Sequence, residues 1–297
     1  MTINFEHFFK KLEGAYAPNT IRSYRSDFKH YADWCTKNQY EALPSSSKQV
    51  VRYLEELGKT LSTATIGRRI ASLSNVFRLT QNEDVTKNPD AQLTYKKLRR
   101  KLGCVQKQAS PLTLDILKRL STACDSSTEG QRNRLLLRLG YETMRRRSEL
   151  CSFMFEDLQM LPNGRHALLL RRSKTDQYGE GKLIPISDDL AMMIDKWSEH
   201  IQQHTGYILR GLYSNHTVRH KLNPSGVNKI LRVIQERAGM TDNTLSGHSF
   251  RVGAAIDLLD KGIPIERIML RGGWKSERTA MRYLRNWDDS DWVLFND

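Results

Sequence analysis

Cysteine is scarce and scattered. Cys35, Cys104, Cys124 and Cys151 are the four in the chain, and none falls in the short paired spacings that bind zinc or carry out thiol redox chemistry. Reduced packing cysteines of an intracellular protein are expected. No apolar run approaches the roughly 20 residues that a membrane span needs. The opening segment Met1 to Lys11 alternates polar and aromatic residues where a signal peptide would have a continuous apolar core. A soluble, cytoplasmic protein with no membrane partner is therefore expected. Low-complexity tracts and internal repeats are also missing, which excludes solenoids and arrays. Acidic residues run short as well: 33 Asp and Glu face 47 Lys and Arg, leaving a formal charge of +14 and a pI near 9.7. The excess is nine in residues 1 to 110 and five in the longer remainder. A polyanion bound through many cations, each releasing counterions, is the partner that such a surface suits.

At roughly 100 to 200 residues per domain, 297 residues suggest two domains. The first reads as all helical. After Pro18 and Asn19, Ile21, Tyr24, Phe28, Tyr31 and Trp34 recur in steps of three and four and mark one helix face, with Arg22 and Arg25 off it. Ile66, Ile70, Leu73 and Phe77 repeat the pattern behind a Ser62/Thr63 start signal, with Arg68 and Arg69 pointing elsewhere. A third, strongly basic helix starts after Asn88 and Pro89 and stops at Gly103. The aperiodic GCVQKQASP reads as a linker, giving domains over 1–103 and 112–297 joined by 104–111. Beyond it, helical patterns at 113–124 and 131–142 precede an apolar strand in HALLLRRSKT (166–175), with KLIPIS (182–187) as its hairpin partner. Helical patterns resume at 188–204, 225–239, 248–261 and 276–285. The expected fold is mainly α: a helical N-terminal domain and a mostly helical C-terminal domain with a small antiparallel sheet.

Four segments carry chemistry-bearing side chains. TMRRRSEL (143–150) groups three arginines behind a helical pattern, and RRSKTDQ (171–177) puts Lys174 at the hairpin tip. GHSFRVGAA (247–255) sets His248 and Arg251 one helical turn apart on a shared face, and in GGW the indole of Trp274 precedes Tyr283 by nine residues. Singly, an arginine run or a hairpin lysine is usually a solvated surface feature.

Taken together and in this order, the segments resemble the tyrosine recombinases, the phage integrase family of DNA strand-exchange enzymes, and its Cre-like branch in particular, where Trp stands at the position of a more common His. The family pattern falls on Arg146, Glu149, Lys174, His248, Arg251, Trp274 and the nucleophile Tyr283. Met144 departs from it by replacing the common Gly. The resemblance implies an N-terminal core-binding domain and a C-terminal catalytic domain. It also implies cleavage and rejoining of duplex DNA through a 3′-phosphotyrosyl intermediate, strand exchange through a Holliday junction, and neither metal, ATP nor other cofactor. Its partners would be double-stranded DNA carrying an inverted-repeat site and three further copies of the chain.

The chemistry gives each group a task. A phenol of pKa about 10 needs help to ionise at neutral pH, and His248 is the best candidate base. Arg146 and Arg251 would clamp the non-bridging oxygens, Trp274 would add an indole N–H, and Lys174 would protonate the departing 5′-oxygen. Glu149 is expected to support the cluster by hydrogen bonding. Arg22, Arg25, Arg68 and Arg69 are expected near grooves or phosphates. NHTVRH repeats the spacing with His216 and Arg219, but no apolar helix follows, so it reads as a loop feature, and His216 and His220 lack a third metal ligand nearby. The tail 284–297 combines a charge of −3, which suits DNA poorly, with Trp287, Trp292, Leu294 and Phe295, which need a pocket; the resemblance implies that it docks on a neighbouring subunit of a tetramer, and the alternative is a tail folded back on its own domain. The rivals are a catalytically inactive helical DNA-binding regulator and an enzyme like a telomere resolvase or type IB topoisomerase, which the chain length disfavours.

Overall fold

The computed structural model describes residues 5–104, 108–174, 176, 178–240 and 244–283, and of Arg282 and Tyr283 the backbone alone. The chain divides into two compact units, 1–107 and 108–297.

The N-terminal unit holds five helices, α1 (Phe5–Lys11), α2 (Pro18–Lys37), α3 (Ser47–Leu57), α4 (Thr63–Leu79) and α5 (Pro89–Leu102). Their ends follow local chemistry. Ser46 and Gln49 close a reciprocal capping box on α3, the Ser62 hydroxyl accepts from the Thr65 N–H at the start of α4, and Asn88 with Pro89 opens α5. The periodic stripes form the core: Ile21, Phe28, Tyr31 and Trp34 of α2 and Ile66, Leu73 and Phe77 of α4 are buried together with Tyr53 and Leu54 of α3. Each buried aromatic or aliphatic side chain contributes on the order of 1.5–3 kcal/mol of transfer free energy. Asp27 and Ser72 are buried in the same seam, and the Ser72 hydroxyl donates to Asp27 Oδ2 at 2.7 Å. Periodicity does not announce such a pair.

In the C-terminal unit, α7 (Thr128–Thr143) is the central helix, with Leu135, Leu136, Leu137 and Leu139 all buried. It packs against α6 (Leu114–Thr122), α9 (Asp188–Ile201) and α11 (Ser249–Asp260). After α7 come the one-turn α8 (Arg147–Leu150) and an antiparallel sheet in the order β1 (Leu158–Met160), β2 (His166–Leu170), β3 (Lys182–Pro185). Leu168 faces both Leu158 and Ile184 across the ladder. The β2 strand ends at Leu170, short of the expected 175, where the ladder to β3 stops at the Leu170–Lys182 pair, and the next side chain, Arg171, turns back to Asp157 with Nε 2.6 Å from Oδ1. Between α9 and the helix α10 (Gly226–Arg237), the Trp197 indole donates to the Ile208 carbonyl at 2.8 Å and locks the connection. Among the described residues the last helices are α12 (Ile265–Gly272) and α13 (Glu277–Tyr283). A second small core of Met144, Ala254, Ala255, Ile268, Trp274 and Ala280 joins them to α11. The mainly helical fold with one small antiparallel sheet is therefore as the sequence led us to expect, with α1, α3, α8, α12 and β1 added. Among the described residues no helix is long and apolar enough to cross a membrane.

Candidate active site

The candidate side chains converge from four separate segments of the C-terminal unit. Arg146 sits at the N-cap of α8, where its backbone N–H lies 3.2 Å from Glu149 Oε2 and its Nη1 lies 2.9 Å from Glu149 Oε1. Glu149 is only 4% exposed, and the same Oε1 accepts from the main-chain N–H of Lys174 at 3.4 Å. One buried carboxylate thus fastens both the first arginine and the hairpin lysine, which is a more specific role than general support of the cluster.

Arg251 lies in the first turn of α11 and is 1% exposed. Its Nη1 donates to the Met144 carbonyl at 2.6 Å, and its guanidinium carbon stands 4.6 Å from the centre of a Trp274 ring. Met144 ends α7 with φ +52°, in the left-handed region that glycine occupies most cheaply, so the residue that departs from the family's Gly nevertheless adopts the backbone a Gly would provide. Trp274 is buried in the small core and also covers Arg251, so packing and cover are one arrangement. Two glycines make it fit. A Cβ on Gly272 would collide with the indole, and Gly273 turns the chain at φ +68°.

His248 precedes α11 and is solvent-accessible. Desolvation and then the positive charges of Arg251, Arg146, Arg147 and Lys174 hold its pKa below the ordinary 6.5. Both effects disfavour the imidazolium and favour the neutral ring, which is the state that can accept a proton. Lys174 itself is exposed in the β2–β3 connection. Tyr283 closes α13, and its side chain lies outside the described residues, as does all of the tail 284–297.

The four N-terminal arginines are not equivalent. Arg22 is exposed and donates to Asn19 Oδ1 at 3.1 Å, and Arg25 pairs with Glu6 at 3.3 Å beside the Phe9 ring. Arg68 is half exposed and pairs with the buried Asp27. Arg69 is only 14% exposed, 3.9 Å from Asp27 Oδ1, with Nη1 2.9 Å from His30 Nδ1. Asp27 is a functional candidate that the sequence reading missed, although a carboxylate between Tyr24 and Phe28 on an apolar stripe was the available signal. The repeated His216/Arg219 spacing falls in the loop between α9 and α10, where Arg219 covers Tyr213 at 4.2 Å and His220 meets Tyr207 edge-on at 5.3 Å.

Comparison with known proteins bears on the family and the fold. The phage integrase family model matches residues 111–289, and the SAM-like N-terminal domain of phage integrases matches residues 5–83. An integrase/recombinase XerD homolog of Selenomonas ruminantium is 28% identical over 286 residues, covering 93% of this chain and 84% of that protein. Recombinase Cre of Escherichia phage P1 is 24% identical over 294 residues, covering 92% and 86%. The chain therefore has Xer-type as well as Cre-type relatives. In three dimensions, a lambda integrase tetramer bound to a Holliday junction superimposes with a TM-score of 0.66 at 19% identity, over 94% of this chain and 75% of that one.

Proposed function

This chain belongs to the phage integrase family, and we propose that it is a site-specific tyrosine recombinase that cuts and rejoins duplex DNA. The observation that carries the reading is that Arg146, held by the buried Glu149, and Arg251, covered by Trp274, come together with the Lys174 hairpin, which the same Glu149 fastens, and with His248, whose pKa these cations help to depress. A phosphodiester placed among these groups meets two guanidinium forks, one candidate base and one ammonium. The Tyr283 oxygen attacks phosphorus and the bond to the 5′-oxygen breaks, leaving a 3′-phosphotyrosine and a 5′-hydroxyl that takes its proton from Lys174. His248 accepts the phenolic proton. The phosphotyrosyl bond conserves the energy of the cut, so rejoining is the same step reversed and needs neither ATP nor a metal.

Exchange between two sites requires four active protomers. The Holliday-junction tetramer of a structurally similar integrase supports that assembly, and the aromatic, acidic tail 284–297 suits the contact between subunits. The basic N-terminal unit supplies a second DNA-contacting surface, with Arg22, Arg25 and Arg68 the accessible candidates.

The test is covalent capture. The protein is mixed with a pool of random-sequence duplexes, denatured, and the DNA that stays attached is sequenced. A recombinase yields adducts on a site with inverted repeats, with the phosphate on Tyr283, and Tyr283→Phe yields none while retaining binding. Tight binding without adduct formation would identify an inactive regulator instead.

A further inference from the structure

The end of α12, just before Trp274, is held by side chains that the chemistry above does not use. The last carbonyls of a helix lack partners within it. Here the Arg271 carbonyl accepts from Arg145 Nη2, while the Arg145 Nε donates to the Thr143 carbonyl at 2.8 Å. The Arg271 side chain runs the other way, with Nε and Nη2 3.1 and 2.8 Å from the Glu142 carbonyl. Two arginines therefore stitch the C-terminus of α7 to the C-terminus of α12 in opposite directions. A third cation joins them: Lys182 Nζ, on β3, donates to the Leu270 carbonyl at 2.7 Å.

Arg145 is 3% exposed, and a Cβ on Gly273 would stand 2.9 Å from its Nη1. Burial, with Arg146 and Arg271 alongside, lowers its pKa to about 10, so it remains charged at neutral pH. Burying a cation against carbonyls is costly, and an apolar residue would fill the space more cheaply. What the charge supplies is a fixed position for the two main-chain segments: Met144, which accepts from Arg251, follows one, and Trp274, which covers Arg251, follows the other.

We propose that Arg145 and Arg271 are positioning residues that set Trp274 over Arg251, and that Lys182 ties the hairpin carrying Lys174 to the same helix end. As far as it concerns catalysis, the proposal rests on the recombinase reading; as far as it concerns the indole, it does not.

The experiment uses the full chain with 15N-labelled indoles, its five tryptophans resolved by their N–H resonances and Trp274 assigned through Trp274→Phe. Arg145→Leu is expected to shift or broaden the Trp274 resonance and leave those of Trp34 and Trp197 in place. On the captured duplex it should slow adduct formation about tenfold or more, the usual scale for misplacing one donor at a reacting phosphate. In a Trp274→Phe background the same substitution should change the rate by less than about twofold. An unmoved Trp274 resonance, or equal losses in both backgrounds, overturns the proposal. If Arg145→Leu moves every indole together, the fold is lost and the less buried Arg271→Met decides: it must move Trp274 while leaving Trp34 and Trp197 in place, and the proposal falls if it does not. A protein that makes no adduct on any duplex sinks the recombinase reading and leaves the resonance test intact.

Discussion

The Arg251 guanidinium stacks on the Trp274 indole at 4.6 Å and at the same time donates to the Met144 carbonyl, so the cation is fixed on two sides by groups from α7 and from the turn after α12. A stacked cation of this kind contributes about 0.5–2 kcal/mol, and more where water is excluded. The face of the indole also closes the small core on Ile268 and Ala280.

Trp274→Ala should therefore lower stability by about 3 kcal/mol, in the range of large aromatic deletions from a core, and slow cleavage. Trp274→Phe keeps much of the packing and removes the N–H. Thermal unfolding should then be nearly restored while adduct formation stays slow, by about tenfold or more. Equal recovery of both would show that Trp274 acts by packing alone.

Lys174 and Glu149 make a paired prediction. Lys174→Ala should cut cleavage by roughly 10² to 10⁴-fold on an ordinary duplex, the scale of a lost general acid, and recover when the 5′-bridging oxygen is replaced by sulfur, because a thiolate leaves without a proton. Glu149→Gln keeps the shape but loses the charge that holds Arg146 and receives the Lys174 N–H. Sulfur should rescue it only in part, since Arg146 is displaced as well. Full rescue of Glu149→Gln would confine the carboxylate to the hairpin, and no rescue of Lys174→Ala would remove that lysine from proton transfer.

Local periodicity made much of the molecule legible. Ile21 to Trp34 and Ile66 to Phe77 lie within single helices, so their spacing alone located α2, α4 and the core between them. His248 and Arg251 are likewise three residues apart, with His248 just before α11 and Arg251 in its first turn. The box around Arg146 and Glu149 was legible through the resemblance to the family pattern, and the acid three residues on is a direct partner of the arginine. What escaped depends on distant partners. Asp27 pairs with Arg68 and Ser72 on another helix, and Arg145 with the carbonyl of Arg271; a carboxylate on an apolar stripe signals that Asp27 needs a partner, but local spacing does not say which residues supply it. The short α8, α12 and β1 offer too few turns or alternations for a period to register. The α3 helix had its signal in Ser46 and Gln49, a capping box that was passed over.

The pH dependence of cleavage follows from His248. Its folded pKa lies below 6.5, with desolvation and four cations as causes. The rate should rise with pH and level off below 6.5, and His248→Gln should abolish that acidic limb. Stability carries the same sign. The unfolded chain takes up the proton first as pH falls through 6.5, so acidification costs stability, and the cost is smaller in His248→Gln. An inflection at or above 6.5 would mean that the imidazole does not sit among the cations during catalysis.

The N-terminal arginines divide by exposure into two experiments. Arg22 stands in solvent with one neutral partner, so Arg22→Ala should leave unfolding unchanged and reduce the slope of log affinity against log salt by about one unit if the residue meets a phosphate. Arg69 is mostly covered and shares Asp27 with Arg68. Arg69→Ala should instead destabilise the N-terminal unit. Asp27→Ala should do so more strongly, because it removes the acceptor of Ser72 and Arg68 and the negative charge 3.9 Å from Arg69 at once; a charge-assisted hydrogen bond contributes about 1.5–3 kcal/mol. It should also weaken DNA binding without changing the salt slope by a full unit, since no cation is lost, only its fixed position. A full-unit change in slope from Asp27→Ala with unchanged unfolding would mean that the carboxylate neutralises the arginines rather than aiming them.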